Sequence, residues 1–284
     1  MMDGALVADG VATSTRDVRE AVADFIARHP RLFVLTGAGC STGSGIPDYR
    51  DRDGAWKRKP PVTDQDFRAS ALVRARYWAR SMIGWPTVGH AQPNDAHRAL
   101  AALEARGRLP LLVTQNVDGL HQKAGHRGVI DLHGRIDAVV CLACGMRSAR
   151  EELQARLLEA NPAWVHLTAG TAPDGDADLD GLDFSTFAVP PCTACGGLLK
   201  PDVVFFGANV PRGTVEAAMA GLAAADGMLV VGSSLMVFSG YRFADVARKA
   251  GIPIAAVNLG VTRADPILSL KAELPAAALL GISG

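Results

Sequence analysis

Four cysteines form two identical pairs, Cys141-x-x-Cys144 and Cys192-x-x-Cys195. Each pair can present two thiolates from one tight turn, and four thiolates bind a tetrahedral Zn²⁺. Because all four coordination positions would be filled, such a zinc is structural. The 47 residues between the pairs exceed the roughly 15–20 of a compact zinc ribbon, so we expect an inserted segment. An iron–sulfur cluster or a redox dithiol is the alternative.

A second group of polar residues follows two short apolar segments. Gln115, Asn116 and Asp118 come after one segment, and His133 comes directly after the next. If both segments are parallel strands, these side chains meet at the carboxyl edge of one sheet. Histidine titrates near neutral pH, so His133 is the natural general base, with a purely structural histidine as the alternative.

A glycine-rich stretch, LTGAGCSTG at residues 35–43, predicts a strand that enters a phosphate-binding turn and then a helix. A plain strand-to-helix turn is the alternative. The glycine spacing departs from the usual dinucleotide fingerprint, and the expected acidic residue after a second strand is missing, which disfavours a conventional nicotinamide dehydrogenase. Asp48 and Arg50 follow closely enough to line the same cleft, unless they form only a surface salt bridge.

Short apolar runs alternate with amphipathic segments along most of the chain. This alternation predicts an α/β fold with a Rossmann-like, doubly wound parallel sheet. The predicted strands are Leu32–Leu35, Leu111–Val113, Val129–Leu132, Val203–Phe206, Leu229–Val231 and Ile254–Val257. Predicted helices begin at Ser14 or Thr15 (with an apolar face of Val18, Val22, Phe25 and Ile26), near Asn94, after Pro211 and after Gly240.

Two stretches interrupt this alternation. Residues 51–90 and 136–199 predict a smaller module, made of a helical insertion and the four-cysteine zinc segment. Residues 1–50, 91–135 and 200–284 then form the Rossmann-like domain. Within the smaller module we expect helices at about 65–82 and 149–160, and a loop at the acidic segment Asp174–Asp183.

The composition excludes several classes of protein. The 284 residues carry no formal net charge, with 49% hydrophobic and 20% charged residues, as in a globular protein. We therefore expect no binding to nucleic acid or to an anionic membrane. A membrane-spanning run and a secretory signal are not expected either, which predicts a cytoplasmic protein. The composition is compatible with a monomer.

Seven motifs occur in an order that resembles the sirtuins, the NAD-dependent protein deacylases, over about residues 15–282. They are GAGCSTGSGIPDYR, TQNVDGLHQKAG, DLHGR, the paired cysteines, KPDVVFFG, VVGSSLMV and VNLG. The wording GIPDYRD, RYWARSMIGWP, NPAW, APDGD and SGYRF is similar to class II sirtuins, the subgroup with the mitochondrial lipoamidase-type member.

The resemblance implies NAD and one structural Zn²⁺ as cofactors, and a role for each matching residue. His133 would be the general base, with Asn116 and Asp118 as its catalytic partners. The residues implied in NAD binding are Gly37, Ala38, Gly39, Ser41, Ile46, Pro47, Asp48, Tyr49, Arg50, Gln115, Asn116, Asp118, Gly232, Ser233, Ser234, Asn258, Leu259, Gly260 and Ala276.

The resemblance also implies an acyl-lysine protein substrate, bound as an added strand between Val204–Gly207 and Val237–Gly240 and releasing nicotinamide and O-acyl-ADP-ribose. The expected substrate contacts are Val204, Phe205, Gly207, Val237, Tyr77 and Arg80. The Tyr77-x-x-Arg80 spacing is similar to the pair with which class III sirtuins hold acidic acyl groups, although the flanking wording is that of class II. A protein mono-ADP-ribosyltransferase and a non-catalytic NAD or ADP-ribose sensor remain alternatives. Cys40 is expected to be a small buried residue, with a redox switch as the alternative.

Overall fold

The computed structural model describes residues 14–57, 61–167, 179 and 181–281, so most of the acidic segment 174–183 lies outside the described residues. The strands are β1 Leu32–Thr36, β2 Leu111–Thr114, β3 Val129–Asp131, β4 Gly134–Cys141, β5 Arg147–Ala149, β6 Leu199–Val203, β7 Gly227–Val231, β8 Ile254–Val257 and β9 Leu270–Ala272. The helices are α1 Thr15–Arg28, α2 Asp64–Ala69, α3 Ala71–Gly89, α4 Asp95–Ala105, α5 Leu120–Lys123, α6 Arg150–Ala160, α7 Arg212–Ala223 and α8 Phe238–Lys249. Among these described helices, none has the length and apolar character needed to cross a bilayer.

Six strands form one parallel sheet in the order β3-β2-β1-β7-β8-β9. Every residue of β1 and β7 is buried, as expected for strands that are covered on both faces. The chain proceeds outward from β1 to β2 on one side and from β7 to β8 on the other. A crevice therefore opens at the carboxyl ends of β1 and β7, where ligands bind in folds of this kind. The predicted Rossmann-like fold is confirmed.

Alternate residues of β1 build the two cores of this domain. Leu32 and Val34 pack on one face with apolar residues of α1 and α4. Phe33 and Leu35 pack on the opposite face with residues of α7 and α8. This alternation follows from the two-residue period of a strand. All four apolar residues predicted for the inner face of α1 are buried, and Ser14 caps that helix in a capping box.

A second, antiparallel sheet has the order β5-β4-β6, and its core includes residues of α2, α3 and α6. The single helix predicted at about 65–82 is wrong. Two helices meet at Ser70, whose extended backbone ends α2 and whose hydroxyl caps α3. Pro86 lies inside α3 and has no N–H to donate to the preceding turn. The Met82 carbonyl instead accepts a 2.9 Å hydrogen bond from the Gln154 amide.

Two local predictions are corrected. The predicted parallel strand Val203–Phe206 is wrong, because β6 ends at Val203 and pairs antiparallel with β4. The apolar residues after it face the cleft instead of a sheet. The helix predicted after the glycine-rich stretch is also wrong, since two short 3-10 turns, Ala38–Cys40 and Thr42–Ser44, replace it. The predicted domain boundaries at 135/136 and 199/200 fall inside β4 and β6.

Candidate active site

The floor of the cleft is built from backbone that packs against backbone. The Gly37 N–H donates to the Val231 carbonyl at 3.1 Å, and the Gly39 N–H donates to the Gly232 carbonyl at 2.9 Å. A Cβ atom on Gly232, which has φ +60°, would lie 2.3 Å from the Cys40 nitrogen. Only glycine fits this contact. The loop after β1 is therefore held close to the loop after β7, at the topological switch point of the sheet.

A hydrogen-bonded network ties the glycine-rich loop to the loop after β2. The Asn116 amide donates to the Gly37 carbonyl and to the Ser41 hydroxyl, both at 3.0 Å. The Ser41 hydroxyl donates in turn to Asp118 at 2.7 Å, and the Leu120 N–H donates to the same carboxylate at 2.9 Å. Burial raises the pKa of Asp118, while these two hydrogen bonds lower it. The network holds Asn116 and Asp118 in place from the protein side alone.

The tautomer of His133 follows from its partners. Nδ1 lies 2.9 Å from the Gln115 carbonyl, which can only accept, so Nδ1 carries the proton and Nε2 carries a lone pair. Nε2 lies 2.8 Å from the Ser239 hydroxyl. Burial lowers the pKa of His133 and nearby Arg242 lowers it further, against the opposing effect of the Gln115 carbonyl. His133 is therefore a neutral base at neutral pH.

Ser239 lies within the predicted peptide-binding segment Val237–Gly240, but the sequence did not predict its contact with His133. It lies in the first turn of α8, which begins at Phe238 and not after Gly240 as predicted. A Cβ atom on Gly240 would lie 2.6 Å from the Gln115 side chain, so this turn packs directly against the segment that orients His133. The sequence signal that could have indicated Ser239 is a hydroxyl residue two positions after the VVGSSLMV motif.

The segment after the glycine-rich loop folds over the cleft. Arg50 donates to the Gly54 carbonyl at 2.7 Å, and its guanidinium lies 4.0 Å from the centre of the Trp56 ring. Asp48 forms an ion pair with Lys57. Both Asp48 and Arg50 also line the cleft. Asp48 therefore forms an ion pair and lines the cleft at the same time. Trp56 is a second cleft residue that the sequence analysis did not single out.

The empty space of the cleft is about 1520 Å³ when the part open to solvent is included. The predicted residues that line it are Gly37, Ala38, Gly39, Ser41, Ile46, Asp48, Tyr49, Arg50, Gln115, Asn116, Asp118, His133, Gly232, Ser233, Ser234, Asn258, Leu259, Val204, Phe205, Val237 and Tyr77.

Five predicted residues are not part of this lining: Pro47, Gly260, Ala276, Gly207 and Arg80. Two of them have a visible packing role. A Cβ atom on Gly260, at φ +84°, would lie 2.3 Å from the Arg52 carbonyl oxygen, and one on Gly207 would lie 2.4 Å from Gln65. These glycines let neighbouring segments approach the cleft without lining it.

One wall of the cleft is aromatic. The Tyr77 ring lies 5.2 Å from that of Phe205 and 5.4 Å from that of Phe67, centre to centre. The Lys200 ammonium lies 4.3 Å from the centre of the Phe205 ring, behind this wall. Tyr77 lines the cleft whereas Arg80 does not, within the described part of the chain. Of the predicted Tyr77–Arg80 pair, only Tyr77 therefore contributes to the described lining of the cleft.

The four paired cysteines come together in the smaller module. The Cys141 and Cys195 sulfurs are 3.5 Å apart, those of Cys144 and Cys192 are 3.8 Å apart, and all four lie within 4.8 Å of one another. Tetrahedral zinc with Zn–S bonds of about 2.3 Å requires sulfurs about 3.8 Å apart. Backbone N–H groups, chiefly that of Cys144, lower the pKa of Cys141 to about 6. The four residues fit a structural Zn²⁺.

The glycine-rich loop, the cysteine cluster and the segment carrying Ser239 all fall within residues 37–239, which match the model of the Sir2 family. The chain belongs to this family. It is 64% identical to an NAD-dependent protein deacetylase of Xanthomonas axonopodis over 250 residues, which cover 88% of this chain and 85% of the relative. It is 52% identical to NAD-dependent protein deacetylase 1 of Streptomyces coelicolor, over 86% of this chain and 82% of the relative.

Solved structures of the same family superpose on most of the chain. One, described as showing the mechanism and regulation of Sir2 enzymes, has a TM-score of 0.74 and 32% identity, and covers 94% of this chain and 97% of its own. Another, a Sir2 complex with a p53 peptide and NAD⁺, has a TM-score of 0.73 and 30% identity, and covers 92% of this chain and 95% of its own. The predicted sirtuin resemblance is confirmed at the level of the family.

Proposed function

We propose that the protein is an NAD-dependent protein-lysine deacylase in which His133 is the general base. The observation that carries this proposal is the orientation of His133, whose Nδ1 donates to the Gln115 carbonyl and whose Nε2, beside the Ser239 hydroxyl, carries the lone pair that can take up a proton. The relatives named NAD-dependent protein deacetylase, at 64% and 63% identity, support it.

The residues of the cleft fit NAD. The close-packed glycines leave space for phosphate groups to approach the backbone of this loop, and Asn116 and Asp118 offer an amide and a carboxylate suited to ribose hydroxyls and a carboxamide. Bound NAD supplies the ribose that receives the acyl group, with nicotinamide as the leaving group. We assign NAD binding to Gly37, Ala38, Gly39, Ser41, Ile46, Pro47, Asp48, Tyr49, Arg50, Gln115, Asn116, Asp118, Gly232, Ser233, Ser234, Asn258, Leu259, Gly260 and Ala276, of which all but Pro47, Gly260 and Ala276 line the cleft.

His133 would take up a proton at Nε2 from a ribose hydroxyl of the bound cofactor. Its neighbours favour this role, because the Gln115 carbonyl fixes the tautomer and burial keeps the ring neutral. Asn116 and Asp118 already form hydrogen bonds with the protein, so little reorganisation is needed when charge develops nearby. A preorganised polar site of this kind is a large contributor to catalysis.

The protein substrate would lie between Val204–Gly207 and Val237–Gly240 as an added strand. Val204, Phe205 and Val237 line the cleft, and residues 204–205 continue beyond the end of β6 without belonging to a strand. Backbone hydrogen bonds to an extended peptide tolerate many side-chain sequences. The formal net charge of zero agrees with recognition by backbone pairing and by the acyl group.

The acyl group would be apolar: an acetyl group, a longer acyl chain or a lipoyl group. The segments that are similar to class II sirtuins suggest this preference. The aromatic wall of Tyr77 and Phe205 supports this preference, and the position of Arg80 outside the cleft lining argues against an acidic group. Since the zinc module needs reduced thiols, we also place the protein in the cytoplasm, where thiols stay reduced.

A panel of lysine peptides tests the proposal. The protein is incubated with NAD and with peptides carrying acetyl, lipoyl, a longer apolar acyl or succinyl groups, and nicotinamide and free lysine are measured. We expect nicotinamide release that requires an acylated peptide and is greatest with apolar groups. Nicotinamide release without deacylation would instead favour ADP-ribosyl transfer, and NAD binding without any turnover would favour a sensor.

A further inference from the structure

Three side chains behind the glycine-rich loop form a second cluster of metal-binding donors. Cys40, His97 and His121 each place one donor atom within 4.8 Å of the others. All three are buried, with 1%, 0% and 1% of their surface exposed. They come from three different elements, the loop after β1, α4 and α5. The cluster is separate from the four-cysteine module.

The two histidines keep donor atoms unused in this buried position. Nε2 of His97 and Nδ1 of His121 have no hydrogen-bond partner among the described residues. Their other ring nitrogens are engaged, His97 Nδ1 with the Asn94 N–H at 3.3 Å and His121 Nε2 with the Thr36 hydroxyl at 2.9 Å. Buried polar atoms without partners are rare in proteins, and an unplaced ion is one of the usual reasons for them.

We propose that Cys40, His97 and His121 form a second metal site, selective for Zn²⁺ and similar borderline divalent ions. One thiolate and two imidazoles are the ligands of such ions, whereas Mg²⁺ and Ca²⁺ prefer oxygen. This site does not depend on the proposed deacylase activity. A third buried histidine, His126, has its ring centre 5.3 Å from that of His121 and its Nδ1 3.4 Å from a Glu104 carboxylate oxygen, and it lies outside the cluster.

The protonation states suit metal binding at neutral pH. Burial, together with nearby charges, lowers the pKa of His97 to about 4 and that of His121 well below its usual value, so both rings are neutral and able to coordinate. Burial raises the pKa of the Cys40 thiol, and the bound metal ion must displace its proton. Binding therefore forms one metal–sulfur bond, breaks one S–H bond and releases one proton to solvent.

Coordination would also act on the loop proposed to hold the phosphates. His97 Nδ1 accepts from the Asn94 N–H at 3.3 Å, so binding through Nε2 must move the ring proton to Nδ1 and break this hydrogen bond. The Asn94 amide donates to the Cys40 carbonyl and to the Ser44 hydroxyl, both at 2.9 Å. The site thus joins the glycine-rich loop to α4 and α5.

Titration with Co²⁺ tests this site by spectroscopy and stoichiometry, without an activity assay. Zinc and cobalt are measured per chain before and after Co²⁺ is added and excess is removed. We expect wild type to bind two metal ions per chain in total, with cobalt in the second site giving a thiolate-to-cobalt charge-transfer band. X-ray absorption should report one sulfur and at least two nitrogen ligands on that cobalt.

Two variants and a matched control locate the ligands. C40A and H97Q should keep their zinc and gain no cobalt, and Gln at position 97 preserves the capping box at the start of α4. The control H90Q removes an exposed histidine outside the cluster and should gain one cobalt. A wild-type protein that never binds more than one metal ion per chain, or a folded C40A that takes up cobalt with the same spectrum, would overturn the proposal. If a variant fails to fold, the ligand set seen in wild type decides.

Discussion

The side chains of the cleft and the cysteines of the zinc module are held in place by different interactions. The cleft lies at the end of a six-stranded parallel sheet with a core on each face, and hydrogen bonds position its side chains. The zinc module has only a three-stranded antiparallel sheet, and two of its four cysteines, Cys144 and Cys195, are exposed. A small sheet cannot bring four thiolates together against their mutual repulsion unless a metal ion compensates for it. Substitutions in the zinc module should therefore lower the stability of the fold, whereas substitutions in the cleft should lower catalytic activity.

The largest structural effect is expected from Cys192→Ser. Structural zinc contributes about 10–16 kcal/mol in zinc-finger peptides, so zinc content should fall by one ion per chain, with a large decrease in the unfolding temperature. Metal analysis and thermal denaturation measure this. Thr193→Ala, an exposed neighbour, is the control and should retain both. A folded Cys192→Ser protein of unchanged stability would remove the distinction between the two regions.

The largest chemical effect is expected from His133→Ala. General base catalysis contributes about 10²–10⁴-fold to rate, so kcat for deacylation should fall by that range while zinc content and unfolding temperature stay near wild type. His90→Ala, at an exposed position, is the control. Undiminished deacylation by the His133 variant would remove this residue from its proposed role.

A smaller effect is expected from Asp118→Asn. Ser41 and Leu120 hold the carboxylate in place, where we propose that it accepts a hydrogen bond from NAD, and losing a hydrogen bond to a charged group costs about 1.5–3 kcal/mol. The KM for NAD should therefore rise roughly tenfold or more, with a smaller change in the KM for peptide. Steady-state kinetics with each substrate varied in turn measures the difference. An equal rise in both values would place Asp118 outside the cofactor site.

The pH dependence should show the lowered pKa of His133. The neutral ring is the base, so activity rises with pH through the pKa of this group and then levels off. Because burial lowers that pKa below 6.5, the acid limb of kcat/KM should lie below pH 6.5. An acid limb above this pH would contradict the buried, neutral base.

The smallest effect is expected from Ser239→Ala. The hydroxyl lies 2.8 Å from His133 Nε2, and donation to this lone pair stabilises the neutral ring. Its removal should shift the acid limb upward by a few tenths of a pH unit, whereas Ser239→Thr, which keeps a hydroxyl, should not. An unchanged profile for the alanine variant would show that Ser239 does not affect this titration.

The sequence predicted the buried strands, which follow from hydrophobic periodicity, and the polar residues that stand at strand ends. Buried strands such as Leu32–Leu35 carry a clear apolar run, and His133 could be placed because it follows such a run. Local patterns could not reveal pairing across long distances. The run after Val203 reads as a strand, yet its preceding residues pair with β4. Ser239 reaches His133 and Trp56 reaches the cleft through tertiary packing that no short sequence spacing indicates, and the same holds for the contact of Cys40 with His97 and His121.

The fate of the ADP-ribosyl group tests the central claim most directly. The protein is incubated with an acetyl-lysine peptide and NAD labelled in its adenosine part, and the label is measured in small molecules and in protein. We expect one acylated ADP-ribose for each lysine deacylated and each nicotinamide released, with no label on protein. Label attached to protein, with the acetyl group still on the peptide, would contradict it.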